Sequence, residues 1–390
     1  MRVVGTVARG IRAPLIKAGD DITQIVVNCV LAAAKEEHFE LMDKDVIGVT
    51  EAVVARAQGN YASYSQIAAD VRQKFPDGKL AATFPILSRN RFSNVLRGIV
   101  GGCDKLFIML SYPADEVGNG LLSWDMLDKA HVDPNTDVLT EIEYREKFGD
   151  KTAHVFTNVD YVEYYKSFGK DIEIIFANDV RKILDYSDNV LCCDIHSRFR
   201  SKRLLREAGA GTVYGLDDIL SSPVDGSGYN EQYGLLGSNK ATEDTFKLFP
   251  RDCETVVNKI AQGLKEATGK RIEVMIYGDG AFKDPVGMIW ELADPVVSPA
   301  YTPGLVGSPN EIKLKFLLDN DFAGKSDDEV TDAMDRAIKS KPVIPGEKAI
   351  GTTPRRYTDL IGSLCDLMSG SGDKGTPIIL VQGYFDSYAS

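Results

Sequence analysis

The chain has 390 residues, 44% of them hydrophobic and 26% charged, and carries a formal net charge of −12. This composition supports normal buried cores over about two or three structural units and excludes a disordered chain. An acidic surface works against phosphate-backbone binding, which excludes broad nucleic-acid recognition but leaves room for a nucleotide in a local pocket of donors.

No apolar run approaches the ~20 residues of a membrane span. The opening MRVVGTVARGIRAPL has no continuous apolar stretch and no small-residue cleavage site, so it does not read as a signal peptide. The six cysteines, Cys29, Cys103, Cys192, Cys193, Cys253 and Cys365, are scattered without a CxxC pair. That pattern predicts reduced, mostly buried thiols in a cytoplasmic protein.

In chain order, the apolar spacing predicts a strand over Arg2–Val7, a helix over Ile22–Ala34, a buried strand over Asp45–Val54 and a helix over Ser65–Phe75. Strands then alternate with helices. Strands are predicted at Lys105–Leu110, Ala153–Thr157, Ile172–Ala177, Asn189–Ile195 and Thr212–Gly215, and helices at Val159–Phe168, Val180–Tyr186 and Ser201–Ala208. Such alternation implies βαβ units and a parallel sheet. Pro223–Asn239 is a glycine-rich loop. Helices follow at Arg251–Thr268 and Asp327–Lys339, with strands at Ile272–Tyr277 and Ile378–Gln382. The expected fold class is α/β (mixed α+β).

Four blocks carry a recognisable pattern. The first is Pro14-Leu15-Ile16-Lys17-Ala18-Gly19-Asp20-Asp21, where a proline, a tight glycine and paired acids introduce an apolar helix. Acids there complement the helix dipole and its unpaired N–H groups. The second is DVIGVTEAVVARAQG, Asp45–Gly59, the third TGKRIEVMIYGD, Thr268–Asp279, and the fourth GDKGTPIILVQG, Gly372–Gly383. In this order they resemble the coenzyme F420-0 gamma-glutamyl ligase family. Arg56 stands for the usual lysine and Gln58 for the usual glutamate of the second block. Asp279 keeps the aspartate of a metal-binding turn, but Gly278 and Gly280 flank it.

The resemblance implies a discontinuous ligase-like core, residues 1–88 and 223–390, around an inserted α/β domain, 89–222. It implies GTP-dependent addition of L-glutamate to a carboxylate of a small acceptor, with Mg²⁺ or Mn²⁺, in an intertwined homodimer. A folate or other acid as acceptor, and a binding protein with a degenerate metal site, stay open beside that reading. Neither nucleic acid nor membrane is expected as a partner.

On the same footing, Asp279 is the expected metal ligand. The family's metal-binding aspartate in G-I-D-A-S-N aligns with Leu236 of Gly234-Leu235-Leu236-Gly237-Ser238-Asn239. Either Asp225 or another acid rebuilds the site, or the site is damaged. Lys17, Thr50, Arg56, Ser238 and Asn239 are the expected nucleotide contacts, and no Gly-Lys-Ser/Thr of a P-loop accompanies them. Asp20 and Asp21 read as caps. Asp194-Ile195-His196 places two polar side chains on one strand face, which reads as a hydrogen-bonded pair at a strand end. No Ser-His-Asp triad or zinc signature can be assembled.

Overall fold

The computed structural model of the protein describes residues 4–89, 91–149, 153–154, 157–278, 282–283, 290–291, 298–322, 324, 326–340, 356–370 and 373–387. Asp279 and part of the expected strand Ala153–Thr157 lie outside the described residues.

The chain begins with β1 (Val7–Ile11) and crosses the Pro14–Asp21 loop into α1 (Ile22–Glu36), whose cap is Asp21, accepting from Gln24 N. β2 (Val46–Thr50) leads without a break into α2 (Glu51–Ala57). The predicted single strand over Asp45–Val54 is thus a strand and a helix. Glu51 stands in the first turn of α2, where an acid favours the helix terminus. Next come β3 (Tyr61–Ser63), α3 (Tyr64–Lys74) behind a Ser63–Gln66 capping box, β4 (Lys79–Thr83), α4 (Phe92–Gly101) and β5 (Lys105–Leu110).

The middle continues through α5 (Trp124–Ala130), β6 (Leu139–Thr140), α6 (Glu141–Phe148), α7 (Tyr161–Lys166), β7 (Ile172–Phe176), β8 (Asn189–Cys192), α8 (Arg198–Glu207) and β9 (Thr212–Gly215). The last part holds β10 (Asn239–Lys240), β11 (Thr245–Lys247), α9 (Cys253–Thr268), β12 (Glu273–Tyr277), β13 (Phe282–Lys283), β14 (Trp290–Glu291) and β15 (Ala300–Tyr301). It ends with α10 (Leu314–Asp319), α11 (Asp327–Lys339), α12 (Tyr357–Met368) and β16 (Ile378–Gln382). The first strand starts later than expected, at Val7 rather than Arg2.

Two main sheets organise these elements, giving a mixed α/β fold. The first has the order β1-β16-β2-β12-β15, with β2 and β12 parallel and the other neighbours antiparallel. Helices α1 and α9 bury Val26, Val30, Val257 and Ile260 on one face, and α12 buries Ile361 and Cys365 on the other. A sheet covered on both faces explains why β2, β12 and β16 are apolar runs rather than alternating strands. Gly48 lets α12 approach, because a Cβ there would sit 2.5 Å from Cys365 Sγ.

The second sheet has the order β6-β7-β5-β4-β8-β9 and is parallel except for β6. Its main apolar cluster runs from Ala62 to Leu248, while the first sheet's helical face draws on residues up to Ala57 and from Cys253 onward. The second packing unit therefore extends beyond 89–222 at both ends. β4, which falls before residue 89, is a central strand of it. A small antiparallel ladder, β10-β11-β3, lies at the junction.

All six cysteines are free thiols, four of them buried. Among the described residues, no helix is long and apolar enough to cross a membrane.

Candidate functional site

Parallel β2 and β12 run side by side and finish together, with Thr50 opposite Tyr277 in the register. The carboxyl ends of neighbouring parallel strands are where open α/β sheets leave a crevice for ligands. Glu51 follows Thr50 at this end, and Gly278 follows Tyr277. A Cβ on Gly278 would lie 3.0 Å from the Phe249 ring and 3.5 Å from Glu51 Cγ, so the glycine allows the two chain ends to close together.

Glu51 is buried and its Oε1 meets Lys247 Nζ at 2.6 Å; the two side chains are 3% and 10% exposed. Lys247 closes β11, where it lies opposite both Tyr61 and Asn239. Below this pair, burial and then the charge of Glu51 push the Cys253 thiol up to about 12, so it stays protonated at the head of α9. Burial also raises the Tyr277 hydroxyl above its ordinary value.

A polar scaffold fixes this end. Asn60 donates to the backbone oxygens of Tyr229 and Phe249, at 3.0 and 2.6 Å, and accepts from Arg251 Nη1 at 2.5 Å. Gln58 and Arg251 exchange two bonds, Gln58 Nε2 to Arg251 O at 2.6 Å and Arg251 N to Gln58 Oε1 at 2.8 Å. Every one of these bonds joins segments far apart in sequence, so the second family block is tied to the chain that enters α9.

The first block docks on α2. Arg56 Nε donates to Ile16 O at 2.6 Å, and Gly19 N donates to Ala57 O at 2.8 Å. Lys17 is exposed in that loop, and its backbone N is held by Asp20 Oδ2 at 2.6 Å. Thr50 is half-buried, and its N donates to Pro377 O at 3.0 Å, which brings in the fourth block. Lys17, Thr50 and Arg56 thus belong to one neighbourhood around α2, with Arg56 serving to pin the loop.

Ser238 and Asn239 reach it from the other side. Asn239 accepts from Arg91 Nη1 and stands opposite Lys247 in the β10–β11 ladder. Ser238 is 8% exposed. Two positions fall elsewhere. Leu236 is buried at 5% in the apolar cluster of the second sheet, so the segment matched to the family's metal aspartate faces a hydrophobic core. Asp225 is exposed in a left-handed turn with φ 47°, and its backbone oxygen accepts from Gln66 Nε2 at 3.0 Å.

Among the described residues, no group of three or more His, Cys, Asp or Glu side chains is placed to hold a metal ion. Asp194 does not pair with His196. Its carboxylate accepts from Ser197 Oγ and Ser201 Oγ, both at 2.8 Å, while His196 is exposed.

Sequence reasoning missed Glu51 and Lys247. Glu51 sits inside the second block, where an acid opening a helix was a usable signal. Lys247 had none, since its importance comes from a partner 196 positions away.

Comparison with curated proteins gives no match. The F420-0:gamma-glutamyl ligase family model matches residues 10–383, a range that takes in the second sheet, all of the first but the start of β1, and residues 89–222. With its four blocks gathered around one pair of strand ends, the chain belongs to the F420-0:gamma-glutamyl ligase family.

Proposed function

We propose that the protein uses GTP to join the amine of L-glutamate to a carboxylate of a small acceptor such as F420-0, at the carboxyl ends of β2 and β12. The observation that carries this is the convergence there of the first, second and fourth blocks with the strand that precedes Asp279.

The γ-phosphoryl group of GTP passes to an acceptor carboxylate oxygen, giving an acyl phosphate and GDP. The glutamate amine then attacks the acyl carbon. Phosphate leaves with the C–O bond electrons, and the nitrogen sheds a proton. Lys17 and Thr50 supply donors to the nucleotide. Lys247 holds the Glu51 carboxylate in place beside Gly278, and burial of the pair excludes water from the reacting end. The described residues do not by themselves make a divalent-ion site, so the Mg²⁺ or Mn²⁺ expected for the reaction depends on Asp279. When bound, such an ion offsets phosphate charge.

The test is incubation with GTP, Mn²⁺, L-glutamate and F420-0. Equimolar GDP, phosphate and an acceptor heavier by one glutamyl residue are expected. No glutamyl product with F420-0, but product with another carboxylate, would move the acceptor assignment. GTP binding without product from any acid would favour a binding protein.

A further inference from the structure

In the second sheet, the chain leaves β4 through α4 to β5 on one side, while β8 and then β9 lie on the other. The strand order therefore reverses direction between β4 and β8, the place where doubly wound sheets open a crevice. A half-open pocket of about 40 Å³ lies beyond those strand ends, between Ile86, Phe92, Ile195 and Leu236, with Arg91 and Ser238 also in its wall. Each water-sized group needs ~10–15 Å³ of such space, so the pocket takes about three of them.

Its walls are apolar apart from Arg91 and Ser238. The Ser238 hydroxyl is buried and, among the described residues, has no hydrogen-bond partner. Buried hydroxyls are almost always satisfied, and leaving one unmet is costly. The pocket also lies close to the ligase centre. Ser238 precedes Asn239, which stands opposite Lys247, whose ammonium holds Glu51 at the end of β2.

We infer that this pocket is a subsite for the acceptor, taking a compact, mainly apolar part of it that offers one hydrogen-bonding atom to Ser238. The inference rests on the ligase reading above. A guanine base, with about eleven heavy atoms, exceeds a space for about three water-sized groups. GTP is therefore placed on the Lys17 and Thr50 side, and the acceptor carboxylate reaches the strand ends past Asn239.

Two variants test it. Ser238→Ala removes one neutral hydrogen bond, ~1 kcal/mol, so KM for F420-0 should rise about fivefold while KM for GTP stays put. Leu236→Phe fills the pocket and should raise the F420-0 KM further. Direct F420-0 binding, followed by calorimetry without GTP, should weaken in parallel and does not depend on turnover. Unchanged F420-0 affinity in Ser238→Ala would overturn the subsite, as would a rise confined to GTP. If Leu236→Phe fails to fold, Ser238→Ala alone decides. A wild-type protein that neither binds nor ligates F420-0 would overturn the F420-0 subsite, and one that ligates no carboxylate at all would overturn the parent reading as well.

Discussion

Glu51 and Lys247 sit where two parallel strands end, each almost closed to solvent. A buried pair adds little net stability, yet removing one partner strands the other charge and costs about 3–5 kcal/mol. Lys247→Met should therefore lower urea stability by about that much. The double variant Lys247→Met with Glu51→Leu should recover most of it while remaining inactive as a ligase. His154 makes a separate residue-scale case. It is buried, its Nδ1 accepts from Thr157 N at 3.3 Å, and burial followed by the charge of Arg89 lowers its pKa below 6.5. The unfolded chain takes up that proton near pH 6.5 and the folded protein only at lower pH. Between these values the unfolded state binds more protons, so the stability this group supports is full above 6.5 and is lost as pH falls through that window. Melting temperatures should drop from pH 7 to pH 5.5, and His154→Gln should flatten that drop; an equal drop in the variant would count against this cause.

Among elements, the boundary between β2 and α2 shows what could be read in advance. The run Val46 to Val54 is apolar and fits a strand, but the chain turns helical at Glu51, and only the acid at that point signals it. The central strand β4, Lys-Leu-Ala-Ala-Thr, escaped notice because alanine has low strand propensity and the neighbours β5 and β8 supply the pairing. The amphipathic helices α1 and α11 and the continuous apolar runs of β5 and β16 were legible, since periodicity or unbroken apolarity is written in their residues. The candidate site was legible only in part: the blocks around α2 could be read, but the β11 ladder that delivers Lys247 is a long-range product of folding. One packing feature has a direct test. Gly48→Ala places a methyl against Cys365 in α12, and overpacking of this kind costs about 1–3 kcal/mol. Cys365→Ala in the same chain should return part of that loss in chemical denaturation.

For the whole molecule, the apolar clusters change over between Ala57 and Ala62 and again between Leu248 and Cys253. A fragment of residues 61–249 should fold with cooperative unfolding, whereas 89–222 lacks β4 and α3 and should not; a protease-resistant 89–222 fragment would contradict this division. Among the described residues the first sheet ends in β1 and β15, and a two-fold pairing across such edges suits the homodimer that the resemblance implies. Light scattering at micromolar concentration should give twice the chain mass. The nucleotide is proposed to sit at the ends of β2 and β12, with Asp279 next in sequence after Gly278. Calorimetric titration of GTP with Mn²⁺ into Asp279→Asn tests it most directly. Mn²⁺-dependent GTP binding should be lost with an unchanged melting temperature in the absence of ligand, and GTP binding equal to wild type would rule Asp279 out of the site.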